Sequence, residues 1–106
     1  MKHFELIKVL SDCVIHCNYC ADACLDEDNI KMMVDCIRMD RACAEVCSTT
    51  IKLLASEYSD VRGMVEYCYV TCIQCAEECG QHDMQHCQDC AKACRKCAEA
   101  CKAYLN

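Results

Sequence analysis

Proline is absent from the 106 residues of this chain, and glycine occurs only as Gly63 and Gly80. The tight loops of a zinc ribbon or a disulfide-stapled knot need far more turn chemistry than that, so both architectures are excluded. Large apolar side chains are scarce as well: Leu, Ile, Val and Phe together number 20. With a formal net charge of −6, so thin a supply would ordinarily read as disorder. No apolar run is long enough to span a membrane. The opening residues, MKHFELIKVLSD, are interrupted by Glu5 and Lys8 and lead to no small-residue cleavage site, which predicts a cytoplasmic protein without a signal peptide. Basic residues are outnumbered, 11 against 17 acidic ones, which argues against a phosphate backbone as partner.

What the chain does contain is sulfur. It has 16 cysteines, and a reduced cysteine behaves as a small buried hydrophobe, so the missing core is expected to be built from thiols. In a reducing cytosol these remain thiols, and cysteine density then points to metal or redox chemistry.

Their spacing sets the secondary structure. Cys13, Cys17, Cys20 and Cys24 step by four, three and four, and Cys68, Cys72, Cys75 and Cys79 repeat the pattern. Cys36, Cys43 and Cys47 form a third set, and Cys87, Cys90, Cys94, Cys97 and Cys101 a fourth. Steps of three and four hold side chains on one stripe of a helix, whereas a strand would alternate them by two. Ala, Glu, Lys, Met and Leu favour the same conformation. The spacing predicts helices over roughly 3–26, 29–56, 60–80 and 84–104.

Polar junctions separate these helices. Asp26 to Asn29 is expected to end the first and cap the second, Ser59 or Asp60 to cap the third, and Asp83 the fourth. Gly80 suits the residue just past the third helix. Short connections predict an all-α, antiparallel up-down-up-down four-helix bundle with a cysteine-lined core. It is read as one metal-storage domain over 1–106, made of two helical hairpins, about 1–56 and 57–106.

The hairpins read as copies. A shift of 55 lays the cysteines of helix 1 on those of helix 3, and a shift of 54 lays Cys36, Cys43 and Cys47 on Cys90, Cys97 and Cys101. The second shift also lays Asp40 on Cys94, Met33 on Cys87 and Met32 on His86. One end of the bundle should collect Leu6, Val9, Leu10, Ile51, Leu54, Val61, Met64, Val65, Tyr104 and Leu105 as an apolar plug. The other should collect Asp26, Glu27, Asp28, Met32, Met33, His82, Met84 and His86, either as gap-filling methionines or as an entrance for a soft cation.

Chemistry narrows the role of the stripe. Cysteines three or four apart on one helix have poor geometry for bridging. A Cys-x-x-Cys redox centre normally sits once, at a helix N-terminus, and is not repeated along a helix. A Zn²⁺ ion among four thiolates leaves a net charge of about −2. Repeating such sites through a dry core buries unpaired charge at large cost. One Cu(I) per thiolate leaves the core neutral, and soft thiolates favour Cu(I). Several Cu(I) ions are therefore the expected cargo, with a Zn(II) buffer or a thiol redox protein as the alternatives.

Two kinds of donor besides sulfur join the candidate set. Asp40 occupies a stripe position, where an unpaired carboxylate would be costly, and is expected to ligate metal or hydrogen-bond. His82 and His86 are each placed to face the mouth. His16 is expected beside the stripe, and His3 in solvent.

On CVIHCNYCADAC, CIRMDRACAEVC, CYVTCIQCAEECGQHDMQHC and CQDCAKACRKCAEAC, the chain resembles the cytosolic copper storage proteins, a family of cysteine-lined four-helix bundles. That resemblance implies many Cu(I) ions along the bundle interior, no catalytic activity and association into homotetramers. It also implies that Asp40, and His82 or His86, assist copper binding near the open end.

Overall fold

The computed structural model describes residues 1–106, and the helices lie close to where cysteine spacing puts them. They are α1 (Phe4–Cys24), α2 (Val34–Ala55), α3 (Arg62–Gly80) and α4 (Gln85–Leu105), with a 3₁₀ turn over Ile30–Met33 ahead of α2. No helix is long and apolar enough to cross a membrane.

Helices of 19 to 22 residues joined by short turns fold back on one another into a rod of 45 × 21 × 19 Å. Helix α1 packs beside α2 and α4, and α3 beside α2 and α4, so α1 faces α3 across the diagonal. The four cysteine stripes thus turn onto a single axis, and every one of the 16 cysteines is fully buried. Alanines flank them, with Ala91 and Ala98 almost fully enclosed. Small residues there let the backbones approach until the thiols touch.

The plug forms as the pattern implies. Leu10 and Val65 are fully buried, and Leu6, Leu54 and Val61 nearly so, at the end where α1 and α3 begin. Tyr104 packs against this group and meets the ring of His3 edge-on at 5.0 Å between centroids. His3 therefore does more than sit in solvent, although it remains exposed.

The expected caps are absent. None of the four α-helices has a side-chain hydrogen bond at its N-cap, and the residues in that position are His3, Met33, Val61 and Met84. Met33 and Val61 are buried, and enclosing such a side chain is worth about 1.5–3 kcal/mol against about 1 for a polar cap. At the α3–α4 junction the work passes to Gln88, whose Nε2 donates to the carbonyls of His82 at 2.7 Å and Gly80 at 3.2 Å. Gly80 is the last residue of α3, not the one beyond it, and has no positive φ. Its missing side chain makes room for α4 instead: a Cβ there would stand 3.9 Å from Ala91 Cβ and 3.2 Å from Arg95 Nη2.

Two residues are left-handed without being glycine, His3 with φ 59° ahead of α1 and Glu57 with φ 55° after α2. Tyr58 N–H donates to Leu53 O and Glu57 N–H to Leu54 O, the paired bonds of a Schellman turn usually closed by glycine.

Candidate metal centre

The sulfur atoms form a continuous column rather than isolated pairs. Near the plug, Cys47 Sγ lies 3.7 Å from both Cys68 and Cys72, and Cys72 lies 3.3 Å from Cys97. Midway, Cys13 and Cys17 each stand 3.8 Å from Cys94, and Cys17 continues to Cys90 at 3.8 Å and Cys75 at 4.0 Å. Toward the mouth, Cys36 meets Cys79 at 3.5 Å and Cys20 meets Cys87 at 3.8 Å. A disulfide would hold two sulfurs at about 2.05 Å, so these are contacts between free thiols.

Most of the contacts join different helices, which is why the chain needs a cysteine on every turn. A stripe on one helix supplies a single edge of the column, and four stripes close it. The result is a stack of tetrads whose ligand atoms all lie within 4.8 Å of one another. From the plug outward these include Cys13, Cys47, Cys72 and Cys97, then Cys13, Cys17, Cys43 and Cys94, then Cys17, Cys75, Cys90 and Cys94. Next come Cys20, Asp40, Cys79 and Cys90, and finally Cys20, Cys24, His86 and Cys87. Successive tetrads share at least one member.

Asp40 sits inside the column. Its Oδ1 accepts from the thiols of Cys79, Cys90 and Cys75 at 3.1, 3.2 and 3.3 Å, and Oδ2 faces Cys36 at 3.8 Å. The carboxyl is fully enclosed, and burial above all pushes it up to about 7. The thiols feel the same environment. Burial raises Cys24, and it pushes Cys87 up to about 12. At the mouth Cys24 and Cys87 are therefore held as thiols, and a metal ion must displace their protons to bind.

The two candidate histidines separate. His86 points Nδ1 at Cys20 Sγ, 3.4 Å away, and at Cys87 Sγ, 3.5 Å away, while its Nε2 meets Glu27 Oε2 at 3.0 Å. His82 instead turns Nε2 to Glu78 Oε2 at 2.9 Å, one turn back on its own helix. The methionines separate too: Met33 is fully buried, Met84 packs against the core, and Met32 is exposed. The sequence places Glu27 at the mouth beside Asp26 and Asp28 and gives none of the three a partner, whereas the fold pairs Glu27 with His86. Glu27 lies 59 positions from His86, and no local pattern links the two.

Comparison with known proteins agrees with this arrangement. A Cu(I)-bound copper storage protein, Csp3 of Bacillus subtilis, superposes with a TM-score of 0.92 at 37% identity, covering 96% of each chain. A cytosolic copper storage protein from Streptomyces lividans, described with five coppers, gives a TM-score of 0.90 at 36% identity over 94% of this chain and 88% of that one. The cysteine-rich protein YhjQ of Bacillus subtilis (strain 168) is 39% identical over 87 residues, 82% of this chain and 81% of the relative. The family profile described as copper storage protein matches residues 1–106. A match that runs the whole length of the cysteine column, and the bundle that carries it, places this chain in the copper storage protein family.

Proposed function

We propose that the chain takes up and holds many Cu(I) ions along its sulfur column, buffering or storing copper in the cytosol. The observation that carries this reading is the column itself: 16 buried free thiols, 13 of them in the tetrads described above, which share members. A catalyst needs one reactive thiol held apart from its neighbours, whereas a store needs many alike. The relatives named above are described as Cu(I)-bound and as cytosolic, which supports both the cargo and the compartment.

Charge explains why a monovalent ion suits the column. Each Cu(I) that replaces a thiol proton leaves the local charge unchanged, so filling the interior strands no charge in a dry core. Binding releases one proton per thiol used and so tightens as pH rises. The proposed ligands are the 16 cysteines with Asp40 and His86, and His82 flanks the mouth on the Glu78 side. Copper enters past His86, because the opposite end is closed by Leu10, Leu54 and Val65. The chain works as one storage unit of two hairpins over 1–106, not as an enzyme. Homotetramers belong to the reading, and the exposed Ile15, Tyr19, Tyr67 and Val70 supply apolar surface for them.

Anaerobic titration of the reduced protein with Cu(I) against a competing chelator tests the proposal. Saturation near one ion per thiolate is expected. Saturation after a few equivalents, or turnover of a disulfide substrate, would overturn it.

A further inference from the structure

Of the tetrads described, the one at the mouth alone offers a nitrogen: Cys20, Cys24 and Cys87 give three sulfurs and His86 the fourth donor, whereas the tetrad with Asp40 adds a further negative charge. Zinc bonds of about 2.3 Å to sulfur and 2.0–2.1 Å to nitrogen fix the edges of a Cys₃His tetrahedron at about 3.8 Å for S···S and about 3.5 Å for S···N. Here Cys20–Cys87 and Cys20–Cys24 measure 3.8 and 3.9 Å, and His86 Nδ1 stands 3.4 and 3.5 Å from Cys20 and Cys87. Four of the six edges are thus at the lengths the ion needs, and the two that join Cys24 to Cys87 and to His86 lie within 4.8 Å.

The outer surroundings match as well. Metal-bound histidines commonly donate their second ring N–H to a carboxylate, which fixes tautomer and orientation. Glu27 does this for His86. Accepting from Nε2–H at 3.0 Å, it leaves the Nδ1 lone pair directed at the sulfurs. Glu27 is on the turn after α1 and His86 on α4, so the arrangement exists only in the folded bundle.

Charge then sorts the tetrads. A divalent ion among four thiolates in the closed column leaves a deficit that no water can relieve. At the mouth the neutral imidazole replaces one thiolate, and the His86 and Glu27 side chains keep 13% and 31% of their surface in solvent.

The geometry points to a discrete Zn(II) site at the mouth of the sulfur column, formed by Cys20, Cys24, Cys87 and His86 and oriented by Glu27. Three thiols lose their protons to solvent as three Zn–S bonds form, and His86 binds as the neutral imidazole. Because these ligands also belong to the proposed copper path, zinc seated here competes with Cu(I) at the entrance and leaves the deeper tetrads free. The site itself does not depend on the copper reading.

The test is titration of the reduced, metal-free full chain with Zn(II) against a chromophoric chelator, with X-ray absorption of the one-equivalent sample. One tight equivalent is expected, with a shell of three sulfurs and one nitrogen. His86→Ala should weaken it about 100-fold or more, Glu27→Ala about 10–100-fold, and Glu27→Gln, which still accepts from Nε2–H, only a few-fold. A four-sulfur shell in the wild-type protein, an unchanged affinity in His86→Ala, or no tight equivalent at all would overturn the site. Cu(I) capacity, measured separately on the wild-type protein, keeps the two questions apart, since a poor copper capacity would leave the zinc result standing.

Discussion

Asp40 Oδ1 accepts the thiol proton of Cys79 at 3.1 Å, across the α2–α3 interface, and sets the only fully buried carboxyl of the chain in a cage of sulfur. The contact lies in the half of the column toward the mouth, in the tetrad next to the outermost one, and it makes the protonation of Asp40 part of the stability of the metal-free fold.

Burial raises this carboxyl to about 7, whereas in the unfolded chain it returns to about 3.9. Between those values the folded protein holds a proton that the unfolded chain has lost. The contribution of Asp40 to stability is therefore full below pH of about 4, declines as pH climbs, and is gone above about 7. Its size is on the order of 4 kcal/mol. Denaturant midpoints of the reduced, metal-free protein, compared at pH of about 5 and about 7.5, should fall in the wild type and change much less in Asp40→Asn. Equal pH dependence in the two proteins would remove Asp40 from this role.

Leu10 is fully buried at the closed end and offers no ligand atom to the column. Leu10→Ala should cost about 2–5 kcal/mol of stability, as a cavity in a packed plug does. The number of Cu(I) ions bound at saturation should not change. A copper count that drops with the melting temperature would mean that the plug shapes the sites as well as sealing them.

Cys17 belongs to two of the tetrads and contacts Cys75, Cys90 and Cys94. Cys17→Ala should therefore lower the Cu(I) capacity by more than one ion, because two adjacent sites lose the same donor. Anaerobic titration gives the count, and circular dichroism checks that the helices remain. A loss of one ion or fewer would mean that neighbouring thiols fill the gap.

Two backbone substitutions should stabilise the protein for opposite reasons. Glu57 has φ 55°, a conformation that costs a non-glycine residue about 1–2 kcal/mol, so Glu57→Gly should raise stability by about 1 kcal/mol. Gly63 lies in the first turn of α3 with nothing within 4 Å of where a Cβ would stand, so Gly63→Ala should add about 0.5–1 kcal/mol. Thermal melts of the reduced protein read both. A lower melting temperature for Glu57→Gly would contradict the Schellman assignment.

Much of the architecture was legible because it is periodic. Expected helices over 3–26, 29–56, 60–80 and 84–104 became Phe4–Cys24, Val34–Ala55, Arg62–Gly80 and Gln85–Leu105, and the plug gathered the residues assigned to it. The misses lie where long-range burial overrules a local preference. Asn29, Ser59, Asp60 and Asp83 are good caps in isolation, yet Met33 and Val61 take the positions beside the helix starts because burying them is worth more. Gly80 resembled a helix terminator and serves as a clearance for α4.

The sequence alone determined that the thiols share one stripe on each helix, because spacings of three and four are a property of the backbone and need no partner. Only the tertiary structure decided which thiols meet. The register between helices, set by packing along the whole interface, brings Cys17 to Cys94 and Cys20 to Cys87. It also settles the histidines: His82 turns to Glu78 on its own helix, while His86 is held by Glu27 and faces the sulfurs. No rule of local spacing contains a contact between residues 59 positions apart, because the closed bundle, and not either helix, creates the place where they meet.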